Sequence, residues 1–556
     1  MEKRLVLGLE FSTQSAKAVV LDIANGTVEH TEQLGFDDAF PGYGTQGGVL
    51  PAADPKVRHT SPAMVVEALD ELFARLSRAG VRMSAVEAIK LDAQQHCTVY
   101  ADETLSSRLN ELDSSKALVE QVAPAFTRGS APIWEDRSTE EQVRLLEDRL
   151  SHKGGLRALT GNRGELRFPA PQILKWGQED PAAYDKTAHV LVLSAFVTSL
   201  LAGRIAPVDT GDGWGTNLNH TDVDHPGWSE HVLAAIDEAL SAAGAETGIT
   251  EKLGRMDHYD APVGGVHSYF VEKYHVGPRA TVLCGTGDNP ATLLGCGGSL
   301  VISLGSSYTV NGMLAAEGDA GSTPAAGGAA GGGGSAGAEP AATAPGEPAE
   351  PSEPEYNVFG YLPGSAMALS VITNGTKVHD EFRRRYSPDA SWEAYSALAG
   401  DRRVTADEPL LLPYLQDESV PAKQAGIVRD GFSETDAQAN IRALHISQAV
   451  SLRLHATHVT APDSLAVVGG GSQNDTLRSF VSDAFGAATY RIRNGDFAAP
   501  FGCAVAAARY ALGLSYEEAV ERYVQVEAGS RMDPRGEAAD VYRELTERYE
   551  RLEASV

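Results

Sequence analysis

Three times along this chain an apolar run stops at a small cluster of glycine, hydroxyl and amide residues: RLVLGLEFSTQSAKAVVLDI (residues 4–23), SLVISLGSSYTVNGML (299–314) and AVVGGGSQND (466–475). The first two resume as a second apolar run, which reads as strand, tight turn, strand; the third runs on into a helix pattern. Short side chains at a turn let backbone approach a ligand closely, and hydroxyls with free N–H groups bind phosphate well. A β-hairpin with Ser/Thr turn residues is the favoured reading of the first stretch when it is read alone. Three such turns in strand contexts, in two halves of one chain, favour nucleotide binding and a repeated α/β architecture.

The surrounding pattern supports that class. RLVLGLEF (4–11), AKAVVLDI (16–23) and TVEHTEQL (27–34) form a predicted antiparallel meander, with Asn25-Gly26 as its second turn. In SPAMVVEALDELFARLSRAG (61–80) the apolar residues Val65, Leu69, Leu72, Phe73 and Leu76 recur at helical steps, with Ser61 at the N-cap and Pro62 in the first turn. VEAIKLDA (86–93) follows as a buried strand ending at Gln94-Gln95-His96. With 556 residues the chain exceeds what one core supports, so at least two domains and a cleft between them are expected.

Composition excludes several classes. A net charge of -29 argues against nucleic acid or an anionic membrane surface as partner, because both reward clustered Lys and Arg. No apolar run is long enough to span a bilayer and MEKRLVLGLEF lacks a signal-peptide core, so the expected location is cytoplasmic. Cys97, Cys284, Cys296 and Cys503 show no metal-ligand spacing and read as reduced core thiols. Residues 315–355 contain ten Gly, six Pro, seven acidic residues and no Lys or Arg, the composition of a disordered insertion. Its flanking segments are expected to pair as neighbouring strands.

Taken in order, EFSTQSAK, GYGTQGGV (42–49), AQQHCTVY (93–100), PIWEDRST (132–139), LTGNRGELRF (159–168), PVDTGDGWGTNL (207–218), GTGDNPA (285–291), SLGSSYT (303–309) and GGGSQN (469–474) resemble the FGGY family of carbohydrate kinases, and within it the xylulose kinase branch. The likeness covers the chain apart from 315–355. It implies two actin-like (ribonuclease H-like) α/β ATPase domains facing a cleft, of the sugar kinase and heat-shock chaperone ATPase superfamily. The expected division is 1–270, chiefly for sugar, and 271–556, chiefly for nucleotide. It also implies ATP and Mg²⁺ as reaction partners and a ketopentose as substrate, most simply D-xylulose giving D-xylulose 5-phosphate.

The resemblance assigns roles to residues that can physically fill them. Asp288 is the expected general base, although alone it reads as an Asx-turn residue ahead of Pro290. Asn289, His96 and Arg167 are expected to bind the sugar, with Arg163 competing for the Arg167 role and a strand-end histidine as the plain reading of His96. Trp134 and Asp136 match a Trp-x-Asp motif near the sugar, or else an interior Trp with an ion-paired Asp–Arg neighbour. Ser12, Thr13 and Gln14 from one side, and Gly305, Ser306 and Ser307 from the other, are expected at the phosphates. Gly470 and Asn474 match the adenosine motif, and Trp392 stands where adenine would stack or where an aromatic would simply pack.

Two departures stand out. Glu10 replaces the usual Asp, keeping the charge on a longer arm, and would meet Mg²⁺ through water. Lys90-Leu91-Asp92-Ala93 precedes Gln94, and Cys97 follows His96 where Gly is common. Three alternatives stay open: a kinase for ribulose or another ketose or polyol, a catalytically weak sugar-binding regulatory relative, and a chaperone-like ATPase. The last would carry a peptide-binding β-domain where this chain has the helical YEEAVERYVQVEAG and VYRELTERYERLEA. Monomer and homodimer are both compatible with the sequence.

Overall fold

The computed structural model describes residues 3–314, 355–400, 402–460, 462–536 and 538–556, so the insertion expected to be disordered lies, apart from Glu355, outside the described residues. The predicted meander forms as β1 (Leu5–Phe11), β2 (Ser15–Asp22) and β3 (Thr27–Gly35). Helix α1 (Pro62–Arg78) follows, capped by the Ser61 side chain, which accepts from the Met64 N–H. Then come β4 (Val86–Ala93), β5 (Pro262–Gly265), β6 (Thr281–Leu283) and β7 (Thr286–Gly287). They build one sheet in the order β5-β6-β4-β1-β2-β3, with β7 also beside β4. Strands β4, β6 and β7 join in parallel and the others antiparallel.

Helix α2 (Asp288–Gly295) leads into the second half: β8 (Leu300–Leu304), β9 (Tyr308–Met313), β10 (Asn357–Gly360) and β11 (Ala366–Ile372). Helices α3 (Thr376–Tyr386), α4 (Trp392–Ala397) and α5 (Ala437–Leu454), strand β12 (Ser464–Val468), helix α6 (Asp475–Phe485), strand β13 (Ala488–Tyr490) and helix α7 (Ala498–Leu512) complete it. The second sheet runs β10-β11-β9-β8-β12-β13, with β12 and β13 parallel to β8. The path β3-β2-β1-β4-β6 of the first sheet thus recurs as β11-β9-β8-β12-β13, one topology used twice.

Two expectations need correcting. The segments flanking the insertion are not neighbours: β9 and β10 both pair with β11, which lies between them. The tight turn after β10 lets β11 fold back into the middle position. A division at 270/271 also cuts the first sheet, because β6 and β7 follow residue 270 yet hydrogen-bond to β4.

The first sheet is covered on both faces. Leu5, Leu7, Leu9, Phe11, Ile89 and Leu91 join the core that holds α1, while Val6, Val19 and Ala88 pack with Phe501 and Ala504 of α7. On that second face a Cβ at Gly8 would lie 1.8 Å from the Pro500 carbonyl oxygen. Glycine there lets a helix from the far end of the chain rest directly on β1. Because side chains alternate and β1 and β4 are in parallel register, Glu10 and Asp92 project from this α7 face at the strand ends.

Candidate active site

Three carboxylates meet where β1, β4 and β7 end. Glu10 is the register partner of Asp92 on one side and of Lys17 on the other, and its carboxylate pairs with the Lys17 ammonium at 2.9 Å. Asp288 opens α2 directly after β7, whose Thr286 is in register with Asp92. Burial, and then the Glu10 charge, push the Asp288 carboxyl up to about 7 against hydrogen bonds from the backbone. Asp92 is fully buried and is raised well above the usual carboxylate range by that burial and by Glu10 and Asp288.

The segment Gln94-Gln95-His96 ties this centre to its surroundings in three directions. Gln94 Oε1 accepts from the Thr13 hydroxyl at 3.0 Å, and that hydroxyl accepts from the Trp134 indole N–H at 2.9 Å. Gln95 Oε1 accepts from Asn289 Nδ2 at 2.8 Å, and the same amide reaches Asp288 at 3.1 Å. His96 takes a left-handed backbone conformation, φ 70°, and stacks on Phe168 at 4.4 Å. Its Nδ1 lies 2.7 Å from the Gly215 carbonyl, which can only accept, so Nδ1 carries the proton and Nε2 is left as an acceptor. Burial and the Arg167 charge push His96 down to about 3, keeping it neutral.

A cavity of about 340 Å³ is lined among others by Trp134, Asp136, Arg163, Glu165, Arg167 and Asn357, while His96, Asp288 and Asn289 are not among its lining residues. Arg167 donates to Asn357 Oδ1 at 2.9 Å, Asn357 Nδ2 donates to Glu165 at 3.1 Å, and Arg163 pairs with Glu165 at 3.0 Å. Both arginines therefore stand at the cavity, in one chain of hydrogen bonds. Trp134 is 43 % exposed, which removes the interior-packing reading. Asp136 is buried and accepts from the Arg58 N–H, Ser138 and Gln172, so it organises the loop. Burial opposes its charge, but these bonds and His59 hold its carboxyl well below the usual range.

A second cavity, about 800 Å³, gathers Trp392, Gly470 and Asn474 with Tyr308, Thr376 and His379. Trp392 is 45 % exposed and stands edge-on to Tyr395, with the Arg383 guanidinium over its ring at 4.8 Å. The glycine turn divides its labour. A Cβ at Gly471 would come within 2.8 Å of Leu304, whereas one at Gly470 would meet nothing within 4 Å, leaving Gly470 open to the cavity. Asn474 caps α6 by accepting from the Leu477 N–H, and its Nδ2 lies 3.2 Å from His445 Nε2.

The Gly305–Ser307 turn stands next to this cavity. The Gly305 carbonyl accepts from the Thr376 N–H, Ser307 Oγ donates to the Thr373 carbonyl, and Ser306 is the exposed tip. In the first turn Ser12 spends its N–H and hydroxyl on the Ser15 carbonyl, and the Gln14 carbonyl accepts from the Phe36 N–H.

Lys17, Glu165, Asn357 and His379 also belong to these sites and escaped the sequence reading. Lys17 had a signal, since hairpin register sets it opposite Glu10; Asn357 had none, being brought in across two halves of the chain. Among the described residues no three His, Cys, Asp or Glu stand at metal-ligating distance, and no helix is long and apolar enough to cross a membrane. The carboxylate centre nevertheless suits a hydrated dication, since the Lys17 ammonium is already paired with Glu10 while three carboxylates crowd together.

Residues 359–511 match the C-terminal domain model of the FGGY family of carbohydrate kinases. The chain is 30 % identical over 533 residues to Xylulose kinase 2 of Arabidopsis thaliana, covering 91 % of this chain and 87 % of that protein. It is 29 % identical to the xylulose kinase of Rattus norvegicus, covering 100 % and 97 %. Its fold matches the crystal structures of a xylulose kinase from Rhodospirillum rubrum (TM-score 0.74, 17 % identity, 99 % of each chain) and of Plasmodium falciparum glycerol kinase with ADP (TM-score 0.73, 14 % identity, 100 % and 98 %). With its twice-used sheet topology and paired cavities, this chain belongs to the FGGY family of carbohydrate kinases and is an ATP-dependent sugar kinase.

Proposed function

We propose that the sugar is a ketopentose, D-xylulose, converted with ATP to D-xylulose 5-phosphate and ADP, and that Asp288 is the general base. The observation that carries the assignment is the position of Asp288 at the start of α2, held by Asn289 and Gln95 and adjusted to about 7. A base works best when its pKa lies near the operating pH. The names of the curated relatives support the choice of xylulose.

In this reading Asp288 accepts the proton of the C5 hydroxyl as that oxygen bonds to the γ-phosphorus. The bond from the γ-phosphorus to its bridging oxygen breaks and ADP leaves. His96 Nε2 accepts a hydrogen bond from one sugar hydroxyl, and Asn289 and Arg167 fix others. Ser12–Gln14 and Gly305–Ser307 flank the phosphates, Trp392 covers the adenine, and Gly470 and Asn474 border the adenosine. A bound Mg²⁺ would neutralise triphosphate charge, and Glu10 would hold it through water. The test is ATP-dependent phosphorylation across a panel of ketoses and polyols. Xylulose should give the highest kcat/KM; a higher value for ribulose or a polyol would overturn the substrate assignment.

A further inference from the structure

Asp92 is a fully buried carboxylate to which the reaction above gives no task. Its Oδ1 has no hydrogen-bond partner among the described residues, and its Oδ2 meets the Cys503 thiol at 3.4 Å. A bare carboxylate oxygen in a protein interior is costly, and on the same sheet face the strand places apolar Ala88 and buried Lys90, whose ammonium donates to the Tyr259 and Cys284 carbonyls. Nothing in packing requires an acid at this position. Parallel register sets Asp92 directly beside Glu10, with side chains on one face and strands about 4.8 Å apart. Asp288 follows the β7 residues that pair with Asp92 and Ala93. Lys17 reaches Glu10, and among the described residues no ammonium or guanidinium forms an ion pair with Asp92.

We propose that Asp92 is a second carboxylate for the divalent cation, acting beside Glu10 on the cation's bound water. The longer Glu10 arm and the added Asp92 then form one device: two acids on adjacent strands share a role that one shorter carboxylate would otherwise fill. The inference rests on the cation use proposed above and concerns binding, separately from the identity of the sugar or the base.

The experiment is Mn²⁺ binding to the full chain with ADP, read by electron paramagnetic resonance of the free ion, for wild type and for Asp92→Asn. The expected result is about 10-fold or greater loss of Mn²⁺ affinity in the variant, the size found when outer-shell metal partners are removed. Equal affinities would overturn the assignment of Asp92 while leaving the cation reading intact. No Mn²⁺ binding by the wild type would overturn both. A second measurement needs no Asp92 variant: the infrared S–H stretch of Cys503, identified by its loss in Cys503→Ala, should shift when Mn²⁺ and ADP are added, because Asp92 is its partner. An unchanged band would also overturn the proposal.

Discussion

Asp288 is buried beside the Glu10 charge, and burial first, then that charge, raise its pKa and make its charged form costly, against the backbone hydrogen bonds at the start of α2. Replacing it with Ala should lower kcat by about 100-fold or more, the usual worth of a general base, while sugar binding measured by calorimetry persists. Retention of a tenth of the rate would remove it from the role. Its pKa of about 7 also gives two pH effects. The rate should rise through neutral pH as the base ionises. Stability should run the other way: the folded protein holds this proton more tightly than the unfolded chain, so its contribution is complete in acid and is lost as pH rises through about 7. Asp288→Asn should therefore raise Tm at pH 8 and leave it nearly unchanged at pH 4. Glu10 carries a separate prediction. Glu10→Gln should raise the Mg²⁺ concentration for half-maximal rate, and Glu10→Asp should do so much less, since charge is kept and only reach changes. Magnesium titrations at saturating ATP and sugar decide it.

Strand β1 shows how an element reconciles packing with chemistry. Its odd-numbered residues from Leu5 to Phe11 fill the core shared with α1, and its even-numbered ones face α7, ending in Glu10. Gly8 is the close-contact point, since an added Cβ would overlap the Pro500 carbonyl and the Ala504 nitrogen of α7. Gly8→Ala should destabilise the fold by about 1–3 kcal/mol through overpacking, read by urea denaturation, and should lower activity because β1 and Glu10 must shift. Helix α4 makes the opposite case: Trp392 is exposed at a cavity wall, so Trp392→Ala should spare stability and raise KM for ATP. A fall in Tm with unchanged KM would mark it as a packing residue.

At the scale of the whole molecule, Asn162 links the two halves. Its amide accepts from the Val358 N–H at 2.7 Å and donates to the Val358 carbonyl at 2.8 Å, tying the loop that carries Arg163 and Arg167 to β10. Asn217, in a left-handed conformation, donates to the carbonyls of Asn162 and Arg163 and accepts from the Glu165 N–H, fixing that loop from behind. Asn162→Ala removes the side-chain partner of three buried backbone groups, the Val358 N–H and carbonyl and the Trp214 carbonyl, and should cost about 2–4 kcal/mol. It should also raise KM for the sugar, because the Arg167–Asn357 contact depends on the same alignment. Unchanged stability and KM would show that the halves are held elsewhere.

The sequence by itself determined the opening meander, the helix over 61–80, the strand at 86–93, the turn positions and the family. Alternation, helical spacing, Ser61-Pro62 and the ordered motifs are local, and local chemistry survives in a one-dimensional reading. It also placed Trp392, Gly470 and Asn474 in one group, and the fold brings them to one cavity. Tertiary structure decided which sheet β6 and β7 join, the intervening place of β11, and the exposure of Trp134 at the cleft. It also fixed the tautomer of His96 through Gly215, and it turned Asp92 from an oddity of composition into the register partner of Glu10. The physical reason is common to all of these: pairing across strands and carbonyls far apart in the chain is set by sheet order and closure of the two halves, and neither leaves a mark in residue spacing.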